Sequence, residues 1–220
     1  MERLAPSLIR LGGSGPAAVH VVAGDTVTLV DAGAPGRGPA IERQLRSLGL
    51  RPSLIVLTHG DPDHAGGAGH LRAAFTAEVA AAEAERELLD RSGWERLPAH
   101  RRFVMRALYR GEPPPTVDRW LIGDEDLDGL RVLATPGHTP GHLAFAWADW
   151  LLPGDALVSG PRFRESLGFF TLDRPRARRS IEALADLDLA HASSSHGRPA
   201  PIRDAIRSLA DGWRTAAFGG

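Results

Sequence analysis

The stretch Thr58-His59-Gly60-Asp61-Pro62-Asp63-His64-Ala65-Gly66-Gly67 places four potential metal ligands within six positions. It follows Leu54-Ile55-Val56-Leu57, an apolar run typical of a short buried strand. Side chains on a loop just past a strand end are held by a stiff element and stay accessible. Imidazole nitrogens and carboxylate oxygens together suit Zn, Fe or Mn better than Mg or Ca. This stretch therefore predicts a metalloenzyme.

The composition of the 220-residue chain is that of a globular protein, with 43% hydrophobic residues, 24% charged residues and a net charge of −1. Because this balance gives no sign of a broad polyanion-binding surface, we expect a small-molecule substrate and no nucleic-acid partner. No run approaches the ~18 apolar residues of a membrane span. The N-terminus lacks an apolar signal-peptide core, so we expect a cytoplasmic protein without a membrane partner. The oligomeric state is left open, with a homodimer as one alternative.

The chain contains neither cysteine nor lysine. Without cysteine, disulfides, thiolate metal ligands and cysteine nucleophiles are excluded, so any metal must be held by histidine and carboxylate side chains. Without lysine, a Schiff-base mechanism is excluded. The Gly-x-Ser-x-Gly elbow of serine hydrolases is also missing from the sequence.

Short apolar runs between turn residues predict strands, and longer amphipathic stretches predict helices. The predicted strands are 8–11, 18–22, 27–30, 54–57, 120–122, 130–133, 143–147, 150–152 and 189–192. The predicted helices are 41–48, 69–75, 78–90, 103–109, 174–187 and 202–214. Strands mixed with helices in both halves of the chain favour helical layers outside packed sheets.

Residues 91–118 have the character of an insertion with its own helix, Phe103 to Tyr109, followed by Pro113-Pro114-Pro115. Two interpretations are open for this segment: a lid over a binding cleft, or a connector. Tyr109 is the single tyrosine of the chain. Its hydroxyl could donate to a developing oxyanion, although packing of the helix is the favoured interpretation.

Three further segments carry His or Asp among Gly and Pro where an apolar run ends. They are Pro136-Gly137-His138-Thr139-Pro140-Gly141-His142, Gly154-Asp155 and Ser195-His196-Gly197. Four strand ends that face one edge of a sandwich would assemble a site from distant parts of the sequence. A binuclear metal centre there would activate water and polarise a scissile carbonyl or phosphoryl oxygen.

These four segments, in this order, resemble the metallo-β-lactamase-fold hydrolase superfamily over about residues 8–210. The resemblance implies an α/β protein with a four-layer αββα sandwich and a helical insertion around 91–118. It also implies a single domain, 1–220, with two pseudo-equivalent halves at about 1–115 and 116–220. The metal site would lie at one edge, between the two halves.

The resemblance also implies a set of metal ligands, each on a matching motif position. The first site would use His59, Asp61 and His138, the second Asp63, His64 and His196, and Asp155 would bridge both ions. Asp61 stands where the family usually has His, and a helix cap or a supporting role is its alternative. A carboxylate in this position makes the ligand set harder in the sense of hard and soft ligands. Two Zn ions are the leading expectation, and Fe and Mn become alternatives to Zn.

The implied function is a metal-dependent hydrolase in which a metal-bridging hydroxide cleaves an ester, lactone or thioester, with Asp63 or Asp155 taking up the proton. The carboxylate at Asp61 motivates one alternative, a non-haem di-iron redox enzyme. A phosphodiesterase or nuclease of the same superfamily is another, which the near-neutral charge disfavours. The last alternative is a non-catalytic binding protein or regulator that keeps only a remnant of the metal site.

Several other polar residues near these motifs are expected to act outside the ligand set. Asp31 either orients a ligand imidazole or caps a turn. Arg162 and Arg164 either bind an anionic substrate group or, as we favour, form a solvated basic loop. Gly66 and Gly67 are expected to let the chain turn into a helix close to the metals. His142 is expected to have a structural or supporting role, and His191 to be a hydrogen-bonded core residue. Packing or surface roles are expected for His20, His70 and His100.

Overall fold

The computed structural model describes residues 1–13 and 15–217, apart from the side chains of Arg203 and of residues 214–217. Two β-sheets pack face to face, and α-helices cover the outer face of each sheet. The predicted αββα sandwich is therefore confirmed. Among the described residues, no helix combines the length and the apolar character that a bilayer crossing requires.

The first sheet of the described chain contains seven strands, which lie side by side in chain order. They are β1 (Glu2–Ala5), β2 (Leu8–Leu11), β3 (Val19–Ala23), β4 (Val27–Val30), β5 (Leu54–Val56), β6 (Glu78–Ala82) and β7 (Arg119–Leu121). Strands β1 to β4 pair antiparallel and β4 to β7 pair parallel. Parallel neighbours need crossover connections. Helices in these connections are α1 (Gly38–Ser47), α2 (Pro62–Ala65), α3 (Ala68–Phe75), α4 (Arg86–Leu89) and α5 (Ala99–Leu108).

The second sheet is built from the later part of the chain. Its strands are β8 (Asp126–Leu127), β9 (Leu130–Ala134), β10 (Leu143–Trp147), β11 (Trp150–Leu152), β14 (His191–Ala192) and β15 (Ala200–Pro201). Strands β12 (Leu157–Val158) and β13 (Arg164–Glu165) form a separate hairpin. The pairing is antiparallel except between β11 and β14, and α6 (Arg174–Ala185) lies in that parallel crossover. Helix α7 (Arg203–Ala217) ends the described chain.

Both faces of the first sheet are buried, because its strands carry apolar side chains at consecutive positions. In β5, Ile55 packs with Ile41 of α1 and Leu71 of α3. The next residue, Val56, points the other way and packs with Phe145 of the second sheet. A further apolar layer lies between the second sheet and helices α6 and α7. These layers hold the strand ends of both sheets in fixed positions.

The helix predicted for residues 78–90 is wrong. These residues form β6, a 3₁₀ turn (Glu83–Glu85) and the short helix α4. Their alanine-rich composition favours helix, but β6 lies between β5 and β7 with Val79 to Ala82 buried. Burial between two neighbouring strands outweighs the local preference, and the turn after β6 brings Glu85 into the interior.

The insertion packs into a small apolar cluster that it shares with α4. Its members are Leu88, Trp94, Leu97, Met105 and Tyr109, with Leu172 packed against them. Helix α5 begins at Ala99, earlier than the predicted Phe103. The Tyr109 ring stacks against Trp94 at a centroid distance of 5.9 Å. The insertion is therefore a packed element of the fold.

Candidate metal centre

The four sequence motifs meet at one end of the two sheets. The loop that carries His59 and His64 follows β5 in the first sheet. The other three follow strands of the second sheet: His138 comes after β9, Asp155 after β11 and His196 after β14. Because the two sheets face each other, these strand ends bring the side chains together.

His59, Asp61 and His138 form the first group of side chains, with one potential ligand atom from each within 4.8 Å of the others. Asp61 Oδ2 lies 3.5 Å from His59 Nε2 and 3.4 Å from His138 Nε2. Asp61 is the N-cap residue of α2, but its side chain makes no capping hydrogen bond. It is turned toward the two imidazoles.

Asp63, His64 and His196 form the second group, again with ligand atoms within 4.8 Å of one another. Asp63 Oδ2 lies 3.2 Å from His196 Nε2 and 3.9 Å from His64 Nε2. This group is the more accessible one, because the His196 side chain is 29% exposed and that of Asp63 20%.

Asp155 lies between the two groups. Its Oδ1 is 3.5 Å from His64 Nε2, and its Oδ2 is 3.3 Å from His196 Nε2 and 3.8 Å from His138 Nε2. It also forms a third group with His59 and His64. A carboxylate in this position can face both groups at once.

Four buried atoms in the cluster have no hydrogen-bond partner in the described part of the chain: Nε2 of His59, His64 and His138, and Oδ1 of Asp155. Buried polar atoms are normally hydrogen bonded, so four orphans in one place need an explanation. Imidazole nitrogens and carboxylate oxygens are the donors that Zn, Fe and Mn accept. The residues therefore fit divalent metal ions.

A cavity of about 370 Å³ opens over this cluster, and Asp61, Asp63, His138, Asp155 and His196 lie in its wall. Helix α5 of the insertion and the segment 164–170 supply the opposite side. The insertion thus covers the cleft in the position expected of a lid. Tyr109 is absent from the lining, and its hydroxyl lies 3.4 Å from the Gly60 carbonyl oxygen. The packing role that we favour for Tyr109 agrees with this position.

A family model described as the metallo-beta-lactamase superfamily matches residues 12–196. The chain belongs to this superfamily. Hydroxyacylglutathione hydrolases match part of it. The one from Halorhodospira halophila is 34% identical over 142 residues, 62% of this chain and 44% of that protein. The one from Cereibacter sphaeroides is 37% identical over 143 residues, 64% of this chain and 47% of that protein. The match thus spans about half the length of these relatives.

A solved structure extends the similarity over the whole fold. The metallo-beta-lactamase family protein of Thermus thermophilus is 28% identical, with a TM-score of 0.70, and the match covers 99% of this chain and 85% of that one. Membership of the superfamily thus agrees with the observed sandwich and with the position of the cluster at its edge.

Asp31 is hydrogen bonded to the loop that carries the first two histidines of the cluster. Its Oδ2 accepts a hydrogen bond from His64 Nδ1 at 2.7 Å, and its Oδ1 accepts from the Thr58 backbone N–H at 2.8 Å. Its φ of +68° is unusual for a residue with a side chain, which indicates local strain. Of the two roles expected for Asp31, the structure favours orientation of a ligand imidazole.

His142 supports Asp155 in a similar way. The backbone N–H of Asp155 donates to His142 Nε2 at 3.0 Å, and His142 Nδ1 donates to Thr135 Oγ1 at 2.8 Å. Burial holds the pKa of His142 well below its ordinary value, with nearby His59 and His138 adding to the effect. His142 is therefore a neutral positioning residue, in line with its expected role.

Arg101 also belongs to the site, and its role was not predicted from the sequence. This residue is only 1% exposed, and its Nη2 donates to Asp61 Oδ1 at 2.6 Å. Burial alone would raise the pKa of Asp61, but the Arg101 guanidinium and the nearby imidazoles hold it well below its usual range. Arg101 therefore compensates the negative charge that Asp61 brings to a position where the superfamily usually has His. A basic residue inside an amphipathic helix gave no sequence signal for this role.

Glu85 was also missed, because it lies in the segment predicted as a helix. It is fully buried and accepts hydrogen bonds from the backbone N–H groups of Gly60 and Gly141, at 2.8 Å and 2.7 Å. It thus ties the loop of His59 to the loop of His138. Burial raises the pKa of Glu85 to about 7.

Gly66 and Gly67 act through close packing. Both lie in the turn that leads into α3, as expected, but their backbone angles are helical and other residues could adopt them. A Cβ on Gly66 would lie 2.3 Å from Pro35 Cδ, and one on Gly67 would lie 2.2 Å from the Ala32 carbonyl oxygen. Glycine at both positions lets the loop that carries Asp31 approach the helix that carries His64.

The remaining histidines lie outside the cluster, as expected. His20 is buried and contacts Ser193 Oγ at 2.8 Å, whereas His70 and His100 are hydrogen bonded near the surface. His191 stacks on Trp150 at 4.7 Å. Its buried Nδ1 has no hydrogen-bond partner among the described residues, so the expectation of a hydrogen-bonded residue is wrong for this atom, and stacking is its main contact.

Proposed function

We propose that this protein is a metal-dependent hydrolase that cleaves an ester, lactone or thioester bond. The observation that carries the proposal is the convergence of two His-and-carboxylate groups, joined by Asp155, on the floor of a substrate-sized cavity. A concave site with a few convergent polar groups is the usual form of a small-molecule site. Membership of the metallo-beta-lactamase superfamily supports this proposal.

In this proposal the cluster holds two divalent ions, with Zn as the leading candidate. The first ion would be held by His59, Asp61 and His138, the second by Asp63, His64 and His196, and both by Asp155. Bound metal supplies Lewis acidity toward the carbonyl oxygen and toward the attacking water. The buried imidazole atoms without hydrogen-bond partners support this assignment.

The chain's own residues orient the reaction and move the proton. Asp63 faces the cavity, and its side chain is partly exposed, so its Oδ2 is well placed to accept a proton from the attacking water. Asp155 is the second candidate for that role. Hydrolysis adds the water oxygen to the acyl carbon, breaks the bond to the leaving oxygen or sulfur, and returns a proton to the leaving atom.

The curated relatives favour thioesters within this range. Both hydrolases reported above carry the name hydroxyacylglutathione hydrolase. Since the chain matches about half of their length, their substrate transfers to this protein only as part of the proposal. A thioester is the first substrate to test.

Metal analysis combined with activity provides that test. Purified protein is expected to contain metal, to hydrolyse a neutral thioester, ester or lactone, to lose activity with a chelator and to regain it with Zn, Mn or Fe. Asp155→Asn is expected to abolish metal-dependent turnover, while Asp188→Asn, a matched change at the exposed surface, is expected to retain it. Metal-loaded protein that hydrolyses none of the three bond types would refute the proposal.

One observation favours a second candidate, a non-haem di-iron redox enzyme. Each group consists of two imidazoles and one carboxylate, the ligand type of many non-haem iron sites. Iron in preference to zinc after native-like expression, together with consumption of O₂ by the reduced protein, would support this candidate. Cytoplasmic location, a homodimer and the absence of a nucleic-acid partner stay predictions.

A further inference from the structure

A groove rich in arginine adjoins the cavity over the metal cluster. It has a volume of about 560 Å³, and the described residues that line it include Arg10, Arg162, Arg164 and Arg198 but no Asp or Glu. Among the described residues, no ion pair joins any of these four guanidinium groups to a carboxylate. Arg10 Nη2 donates to the Gly197 carbonyl oxygen at 2.8 Å, and its buried Nε has no partner in the described chain. Glu2, which lies opposite Arg10 in the β1–β2 pair, partly compensates that one guanidinium group, and the groove presents the positive charge of the other three.

The groove and the cavity share one wall. Val158, Arg164 and His196 line both of them. His196 belongs to the proposed metal cluster, so the cluster lies where the two spaces meet. A substrate whose reacting carbon lies at the cluster can therefore extend one arm into each space.

The cavity is suited to an alkyl group. Aliphatic side chains from two segments line it, with Val104, Met105 and Leu108 on α5 and Leu167 beyond β13. Leu108 and Leu167 are 52% and 70% exposed, as expected for side chains at an entrance that a ligand covers.

Apart from Arg164, which lines both spaces, the charged side chains that line the cavity outside the metal cluster are paired within the protein. Asp61 pairs with Arg101, and Glu165 pairs with Arg174 and Arg178. The uncompensated positive charge therefore lies in the groove, and the apolar surface lies in the cavity. This separation predicts a substrate with an apolar end and an anionic end.

With Arg10 partly compensated by Glu2, the other three guanidinium groups still call for more than one negative charge. Arginine forms paired hydrogen bonds with phosphate oxygens, and a group with several phosphates can engage several arginines at once. A single carboxylate would leave most of this charge uncompensated. A nucleic-acid strand fits less well, because the adjoining space offers aliphatic side chains where strand binding uses a long basic track with stacking aromatic residues.

We propose that the site hydrolyses thioesters in which an alkyl acyl group is joined to a thiol that bears phosphate groups, an inference that rests on the proposed hydrolase activity. The acyl chain occupies the cavity and the phosphates occupy the arginine groove. The carbon–sulfur bond breaks, water oxygen joins the acyl carbon to give a carboxylic acid, and the thiol leaves with a proton. Thiol carriers of the coenzyme A type have this chemistry.

The test compares thioesters with the same acyl group and different thiols. The probes are acetyl-, hexanoyl- and decanoyl-coenzyme A, the matching N-acetylcysteamine thioesters, which are neutral, and the matching S-acyl glutathiones, which carry two carboxylates and an ammonium group but no phosphate. We expect kcat/KM to favour the coenzyme A thioester over the neutral one by at least about tenfold. We also expect it to rise about three- to fourfold per added methylene until the cavity is filled.

Variants of the groove and of the cavity test whether the groove causes the preference for coenzyme A thioesters and the cavity causes the dependence on acyl-chain length. In Arg162→Gln/Arg164→Gln the preference for the coenzyme A thioester should fall about tenfold, whereas Arg131→Gln, an exposed arginine outside the groove, should keep it. Leu108→Gln should flatten the chain-length dependence. Phe103→Gln is the matched control, because Phe103 is exposed on the same helix and does not line the cavity.

Two readouts separate failure of this inference from failure of the proposed function. Two results would overturn the inference without affecting the proposed hydrolase activity. One is hydrolysis of neutral thioesters with no preference for coenzyme A, and the other is a preference for the glutathione thioester. If no thioester is hydrolysed, a binding measurement with coenzyme A tests the proposed role of the groove. Binding that weakens with salt and is lost in the double arginine variant supports the groove. No binding, or tighter binding of an oligoribonucleotide, refutes it.

Discussion

Arg101 Nη2 donates to Asp61 Oδ1 at 2.6 Å, while Asp61 Oδ2 faces the Nε2 atoms of His59 and His138. The guanidinium comes from the insertion, and the carboxylate comes from the loop after β5. A His at position 61 would place an imidazole against this buried positive charge. The insertion and the departure from the usual motif are therefore parts of one arrangement.

We predict that Asp61→His alone lowers both stability and metal content, because it leaves Arg101 buried without its carboxylate partner. The loss of unfolding free energy should be about 3 kcal/mol, as for other broken buried pairs. Adding Arg101→Met should recover much of that loss. Chemical denaturation and elemental analysis of the single and double variants provide the check.

The neighbouring arginine supplies a control for this pair. Arg102 contacts Glu95 at the surface, at 3.3 Å. Arg102→Met should therefore cost less than about 1 kcal/mol. Equal losses for Arg101→Met and Arg102→Met, or no recovery in the double variant, would contradict the proposed compensation.

Asp31→Asn tests the orientation of His64. Asparagine tolerates the positive φ of position 31 better than most residues, so the change removes the charge without adding backbone strain. We expect metal affinity to fall about 10- to 100-fold, because the group that holds the His64 ring is weakened. Titration against a competing chelator measures this change, and an unaltered affinity would argue against the orienting role.

Metal binding should release protons at neutral pH. Burial alone would lower the pKa of His64, but Asp31, Asp155 and Asp63 raise it well above its ordinary value. For His196, burial is likewise outweighed, and Asp155 and Asp63 raise the pKa to about 10. Both imidazoles are thus protonated at pH 7 without metal, and each must lose its proton to act as a ligand.

Calorimetric titration of the metal in buffers of different ionisation enthalpy measures the number of protons released. We expect about two protons at pH 7 and an affinity that falls as the pH falls. A heat of binding that is the same in all buffers would show that the imidazoles are already neutral, contrary to this prediction.

Glu85 should make the protein less stable as the pH rises. Its pKa is raised from 4.5 to about 7 in the folded state, so its favourable contribution is complete below pH 4.5 and is lost as the pH rises through 7. The size of the effect is about 3 kcal/mol. Urea denaturation at pH 5 and pH 8 should show this loss in the wild-type protein and a flatter profile in Glu85→Gln.

The exposed Glu78→Gln serves as the matched control for Glu85→Gln, and both are compared with the wild-type protein in the same metal state. The control should keep the wild-type pH profile. If Glu85→Gln follows the same profile as the wild-type protein, the buried carboxyl is not the source of the pH dependence.

Local patterns in the sequence predicted most of the fold. Strand β10 could be predicted because its apolar run ends at clear turn residues. Strand β6 could not, since its alanines favour helix and only burial between β5 and β7 makes them a strand. Strand β1 pairs at the sheet edge with exposed residues, and it offers too little apolar pattern to be recognised.

The sequence by itself determined which side chains gather at the cluster, because each one stands in a short motif at a strand end and the four motifs together resemble those of the metallo-β-lactamase superfamily. Only the tertiary structure decided what surrounds them. Arg101 reaches Asp61 across 40 positions of sequence, and Glu85 reaches Gly141 across 56. Contacts of this kind arise from the packing of whole sheets and helices, and no local pattern of residues records them.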